Sequence, residues 1–141
     1  MDAAYRDKLI GHVNRKKWWH VPPSDPDAYS KRGKFFAPSY REAEFWGRPL
    51  DEPQRVRIAN PLIGDEEHIE TRLLGKRVSR EEISLDARWK LDARLKSSAL
   101  KQGYDSIVLM TPKAFAGFLN SGKLSRSLEL NLLQNAESQS H

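Results

Sequence analysis

Between Ser79 and Met110 the apolar positions fall into two regimes, a fourfold spacing and then an unbroken run. Ile83, Ala87, Leu91, Leu95 and Ala99 recur every fourth residue, with Asp86, Arg88, Lys90, Asp92, Arg94 and Lys96 between them. That spacing lines one face of a helix and leaves the charged side chains to water. Ser79 and Glu82 have capping-box spacing at its start, and Gly103 suits a left-handed stop at its end. Ile107 to Met110 is too short for another helix and is bounded by Thr111-Pro112, so it predicts a core strand.

The same patterning orders the rest of the chain. Residues 3–14 predict a helix with Tyr5, Leu9 and Val13 on one face. Trp18 to Val21 predicts a strand stopped by Pro22-Pro23, and residues 24–34 have loop composition. Gly33 to Pro38 reads as a short strand, and Ser39 to Gly47 as a two-turn helix with Ala43 and Trp46 on one face. From Gln54 to Ala59, Val56 and Ile58 alternate with Arg55 and Arg57, the pattern of a half-buried strand ended by Asn60-Pro61. Asp65 predicts a helix cap, with the helix running to about Leu74 and closed by Gly75. Pro112 to Leu119 predicts one or two helical turns around Phe115, Phe118 and Leu119, broken by Asn120-Ser121-Gly122. In the last strand Leu128, Leu130 and Leu132 point one way and Glu129 and Asn131 the other. Helices and short strands mix without regular alternation, so the expectation is an α+β fold in one domain over residues 1–134, with residues 135–141 a flexible polar tail.

Composition narrows the function classes. The chain of 141 residues, 38% hydrophobic and 30% charged, fits one soluble globule. It has no cysteine, which excludes disulfides and thiolate chemistry. No apolar run approaches the ~20 residues needed to cross a bilayer, and the first residues, MDAAYRDKLIGHVNRKK, lack a signal-peptide core. The expectation is a cytoplasmic protein without a membrane role, made there or delivered into a target cell's cytoplasm without a cleaved signal. Net charge is +5 with a pI near 9.6, which favours nucleic acid or an acidic protein surface. Only Arg15-Lys16-Lys17 and Lys31-Arg32-Gly33-Lys34 are clusters, and the other basic residues are scattered among 19 acidic ones, so charge alone favours an ordinary solvated surface.

His12, His20, His68 and His141 show no metal-ligand spacing. There is no phosphate-cradling glycine loop, no dinucleotide fingerprint and no serine elbow. A carboxylate is left as the candidate catalytic group. Glu129 is the one acid inside an apolar strand near the carboxyl end; by itself it fits either catalysis or the wet face of an edge strand. His20, after two tryptophans, fits either a histidine at the core margin or a ligand contact.

Taken in order, the pieces resemble a known family. A strand ending in His20 leads to Phe35-Phe36-Ala37 with Ala43-x-Phe45, then Asn60-Pro61-Leu62, then Gly103-Tyr104-Asp105-Ser106-Ile107-Val108, then Glu129 in its strand. Over roughly residues 18–133 this order resembles the ADP-ribosyltransferase family, in its His–Tyr–Glu branch of diphtheria-toxin-like enzymes and poly-ADP-ribose polymerases. The resemblance implies two small, mainly antiparallel sheets around an NAD cleft with flanking helices. NAD would be the substrate. His20, with Val21 beside it, would hydrogen-bond the adenosine ribose. Phe35 and Phe45 stand where the family has two tyrosines that sandwich nicotinamide, and Trp46 competes for the second place. Glu129 would engage the nicotinamide-ribose hydroxyl and stabilise the charge that develops as the glycosidic bond breaks.

In that family the segment at residues 111–127 reads the target. Phe115 and Phe118 would then be apolar anchors, with Lys113, Lys123 and Arg126 as a basic rim for an acidic protein surface or a phosphate backbone. The two rings equally suit a core plug. The small size suits a toxin module, an effector or a phage-borne factor that disables a host protein. Two other functions fit the same residues. One is a non-catalytic basic module that binds nucleic acid or protein; the other is an NAD glycohydrolase with water as acceptor.

Overall fold

The computed structural model describes residues 1–20, 34–37, 53–77, 84–133 and 137–139. Among them are four helices: α1 (Ala3–Arg15), α2 (Glu66–Leu74), α3 (Leu85–Lys101) and α4 (Pro112–Ser121). The seven strands are β1 (Lys17–His20), β2 (Lys34–Ala37), β3 (Gln54–Arg57), β4 (Pro61–Gly64), β5 (Ser106–Leu109), β6 (Glu129–Leu132) and β7 (Glu137–Gln139). The expected helix over 39–47, the loop after Pro22-Pro23 and the capping pair Ser79 and Glu82 lie outside the described residues.

The fold is α+β. The strands are hydrogen-bonded in the order β4-β5-β6-β2-β1-β3-β7. Every neighbouring pair is antiparallel except β4 with β5. The ladder divides at β1. Lys17 and Trp18 pair with Arg55 and Gln54 of β3, whereas Trp19 and His20 pair with Ala37 and Phe36 of β2. A five-strand set and a three-strand set thus share β1.

Two apolar clusters lie on opposite faces of the strands. The larger joins Leu9 and Val13 of α1, Phe115 and Phe118 of α4, and Trp18, Val56, Val108, Leu130 and Leu132 from the strands. The smaller joins Ile69 and Leu73 of α2, Leu91, Leu95 and Ala99 of α3, and Leu62 and Leu133. Residues of β6 alternate between these sides: Leu130 and Leu132 are buried, Glu129 and Asn131 half-buried. Two such faces follow from period-two alternation once helices cover both sides.

Several boundaries differ from expectation. α3 begins at Leu85, because the Ser84 hydroxyl accepts the Ala87 N–H at 3.1 Å and caps it there. Its end follows the glycine rule in full. Gly103 sits at φ 89°, its N–H reaching the Leu100 carbonyl and that of Tyr104 the Ala99 carbonyl, a Schellman pair. Pro61 ends β3's segment but also opens β4, an unexpected strand; as the first residue of an edge strand, proline forfeits no ladder bond. The turn or two expected after Pro112 is a ten-residue helix, capped by the Thr111 hydroxyl and closed by Gly122 at φ 72°. Residues 137–139 of the expected flexible tail form β7, which pairs with the free edge of β3.

One polar joint ties these pieces together. The Asp105 carboxylate accepts the N–H of Ala59 at 2.7 Å and of Asn60 at 3.2 Å, and the Ser106 hydroxyl at 2.8 Å. The Asn60 amide donates to the Gly103 carbonyl at 2.7 Å, and its oxygen accepts from Arg6 at 2.6 Å. The Asp105 carbonyl takes the N–H of Leu133 at the end of β6. Asn60-Pro61 and Gly103-Tyr104-Asp105, far apart in sequence, are therefore two halves of one joint that starts β4 and β5 side by side.

Candidate functional site

β6 carries Glu129 because three leucines on alternate positions drive the strand into the larger core. Leu128, Leu130 and Leu132 are all 2% exposed or less. That alternation leaves Glu129 and Asn131 on the other face, half-buried. Leu109 and Ile107 of β5 are their register partners, and these two pack against the smaller cluster under α2 and α3. Helical cover therefore meets the sheet over β4 and β5. Glu129 stands at the margin of that cover, on the side toward β2 and β1.

The other expected site residues come from distant parts of the chain, and the sheet gathers three of the strands involved. β1, β2 and β6 are consecutive in the sheet. His20 pairs with Phe36, and Phe36 pairs with Leu130. Phe35 pairs with Asn131. Phe35 and Glu129 thus occupy positions two residues apart on one face of the β2–β6 pair, whereas the His20 position falls in register with Phe36 and Leu130 on the alternate one. His20 shares its row with Leu130 rather than with Glu129, and it is the terminal residue of β1. Val21, Phe45 and Trp46 lie outside the described residues.

Trp19 was not marked by sequence reasoning as part of this site. It pairs with Ala37, and continuing the β2–β6 register by one residue sets Ala37 beside Glu129. Trp19 is half-buried, whereas Trp18 is fully buried with its indole N–H on the Val13 carbonyl at 2.9 Å. The signal was available in the alternation of two adjacent tryptophans, one inward and one outward. Asn131, one alternation further along from Glu129, adds an amide to the same side.

The expected target-reading segment divides differently. Phe115 is 6% exposed and Phe118 0%, and both belong to the larger core. Phe118 lies against the Tyr5 ring of α1, centroids 6.4 Å apart. These rings are therefore core plugs, because the amphipathic helix α4 turns them onto the sheet and α1. What the segment presents outward is Leu119, 44% exposed, with Lys113, Lys123 and Arg126.

Chemically, the arrangement offers a carboxylate, an amide and a flat indole on one side of the sheet. Among the described residues no group of three His, Asp or Glu side chains is placed to hold a metal ion. No described helix is long and apolar enough to cross a membrane. His12, at the end of α1, has its pKa lowered from 6.5 by burial first and then by Lys16 and Arg15. The chain matches no family model, no curated protein and no solved structure.

Proposed function

We propose that this chain is a mono-ADP-ribosyltransferase that uses NAD to modify a macromolecular target, in a fold with an ADP-ribosyltransferase-like cleft. The observation that carries the reading is the pairing of β2 with β6, whose register sets the Phe35 and Glu129 positions two residues apart on one face of the sheet.

The chemistry asks for a fixed negative charge. As the bond between nicotinamide and ribose breaks, its electron pair leaves with nicotinamide and the sugar becomes oxocarbenium-like. A carboxylate roughly 4 Å away at an effective dielectric of ~20 supplies about 4 kcal/mol, roughly a thousandfold in rate. Glu129, half-buried beside its register partner Leu109, is the group for that role. Phe35, with Phe45 or Trp46, holds the departing ring; His20 and Val21 take the adenosine end. A nucleophile of the target then adds to the sugar and gives up its proton. Lys123 and Arg126, exposed on the segment leading into β6, suit an acidic protein surface or a phosphate-bearing target.

Incubation with labelled NAD and a cell lysate tests this. Label on a macromolecule, dependent on Glu129, supports the transferase. Nicotinamide release without labelled product assigns a glycohydrolase instead, and neither product overturns the NAD reading.

A further inference from the structure

We propose that the sheet face carrying Lys17, Arg55 and Trp19 binds single-stranded nucleic acid. This goes beyond the NAD reading and does not require it. Trp18, Val56 and Ile58 turn into the larger core, so the residues alternating with them turn outward. Lys17, Arg55 and Arg57 are exposed there, and Trp19 is half-buried. Lys17 and Arg55 are direct register partners on neighbouring strands. Like charges set directly opposite one another destabilise a strand pair. A phosphate placed between the two cations would meet both at once.

Arg57 follows Arg55 on the same face at roughly 6.8 Å along the strand. The register partner of Arg55 on β7 is the uncharged Gln139, whereas that of Arg57 is Glu137. The cationic pair is accordingly Lys17 with Arg55. Trp19 lies two residues from Lys17 in the same strand, where its indole can stack on a base while the cations hold the adjoining phosphates. A single strand uses both features. An acidic peptide would use only the charges, and a duplex keeps its base faces stacked inside.

The test is fluorescence anisotropy of a short labelled single-stranded oligonucleotide, without NAD, over a series of salt concentrations. Binding should weaken with salt at a log–log slope near −1.4, two phosphates at about 0.7 each. Lys17→Gln with Arg55→Gln should flatten that slope and weaken binding about tenfold or more at low salt. Lys90→Gln with Arg94→Gln, removing the same charge from exposed positions of α3, should leave binding unchanged. Trp19→Leu should weaken binding about tenfold with the slope kept, and Trp19→Phe should restore most of it at an equal melting temperature. The proposal is overturned by no binding at low salt or by equal losses in the two double variants. Competition by polyglutamate as effective as by unlabelled oligonucleotide would also overturn it, assigning the face to an acidic protein.

Discussion

Asp105→Ala tests the joint on which the sheet's alignment depends. The substitution removes an acceptor for three donors, the N–H groups of Ala59 and Asn60 and the Ser106 hydroxyl. A hydrogen bond to a charged group is worth about 1.5–3 kcal/mol when shielded. Asp105 is half-buried and Ala59 exposed, so water re-solvates part of what is lost. About 1 kcal/mol per contact is then reasonable, giving a loss of roughly 3 kcal/mol and, for a chain this size, a fall in Tm of about 10 °C. Asp105→Asn keeps one acceptor oxygen but turns an amide N–H toward a donor, so about half that loss is expected. Asn60→Ala breaks the contacts to Gly103 and Arg6 on the other half of the joint. Neighbours in one network are not additive, and the double variant should fall short of the summed losses by at least about 0.5 kcal/mol. Thermal and urea unfolding followed by circular dichroism measure all of this. A shift below about 2 °C for Asp105→Ala, or strict additivity with Asn60→Ala, would refute the joint as a source of stability.

Phe118→Ala should cost about 3–5 kcal/mol, since the ring is fully buried against Tyr5, and any activity should fall in step with Tm; an unchanged Tm would place the ring outside the core. Lys123→Gln with Arg126→Gln should leave stability within about 0.5 kcal/mol while reducing target labelling, read from the same lysate assay. Gly122→Ala should destabilise by at least about 1–2 kcal/mol, because φ is 72° and the new Cβ would stand 2.5 Å from the Tyr5 ring. The folded chain protonates His12 less readily than the unfolded chain, so stability from this group is full above 6.5 and is lost as pH drops from there through the lowered folded value. His12→Gln should therefore flatten the decline of Tm between neutral and mildly acidic pH.

How much of this could be read from residues alone follows from the range of the forces involved. α2 was legible to the residue because its cap at Asp65 and stop at Gly75 are local features. Both cores were legible as faces, since Leu91, Leu95 and Ala99, or Leu128, Leu130 and Leu132, repeat at the period of their element. β4 was not, because Pro61 to Gly64 is a strand only through its parallel pairing with β5, some 45 residues on. β7 likewise depends on the exposed edge of β3 rather than on its own Glu-Ser-Gln. The outward role of Trp19 lay in one step of alternation beside Trp18. The segment after Pro112 was legible only as two alternatives, loop anchor or core plug, and the packing of Phe118 against α1 decided between them.

The central claim is that Glu129 performs chemistry on NAD, and Glu129→Gln addresses it most directly. The substitution keeps shape and removes charge from a half-buried strand position, so Tm and NAD affinity by calorimetry should stay close to those of the parent. Release of nicotinamide and labelling of the target should both fall on the order of a hundredfold or more. Turnover equal to that of the parent, or no NAD turnover by the parent itself, would contradict the account.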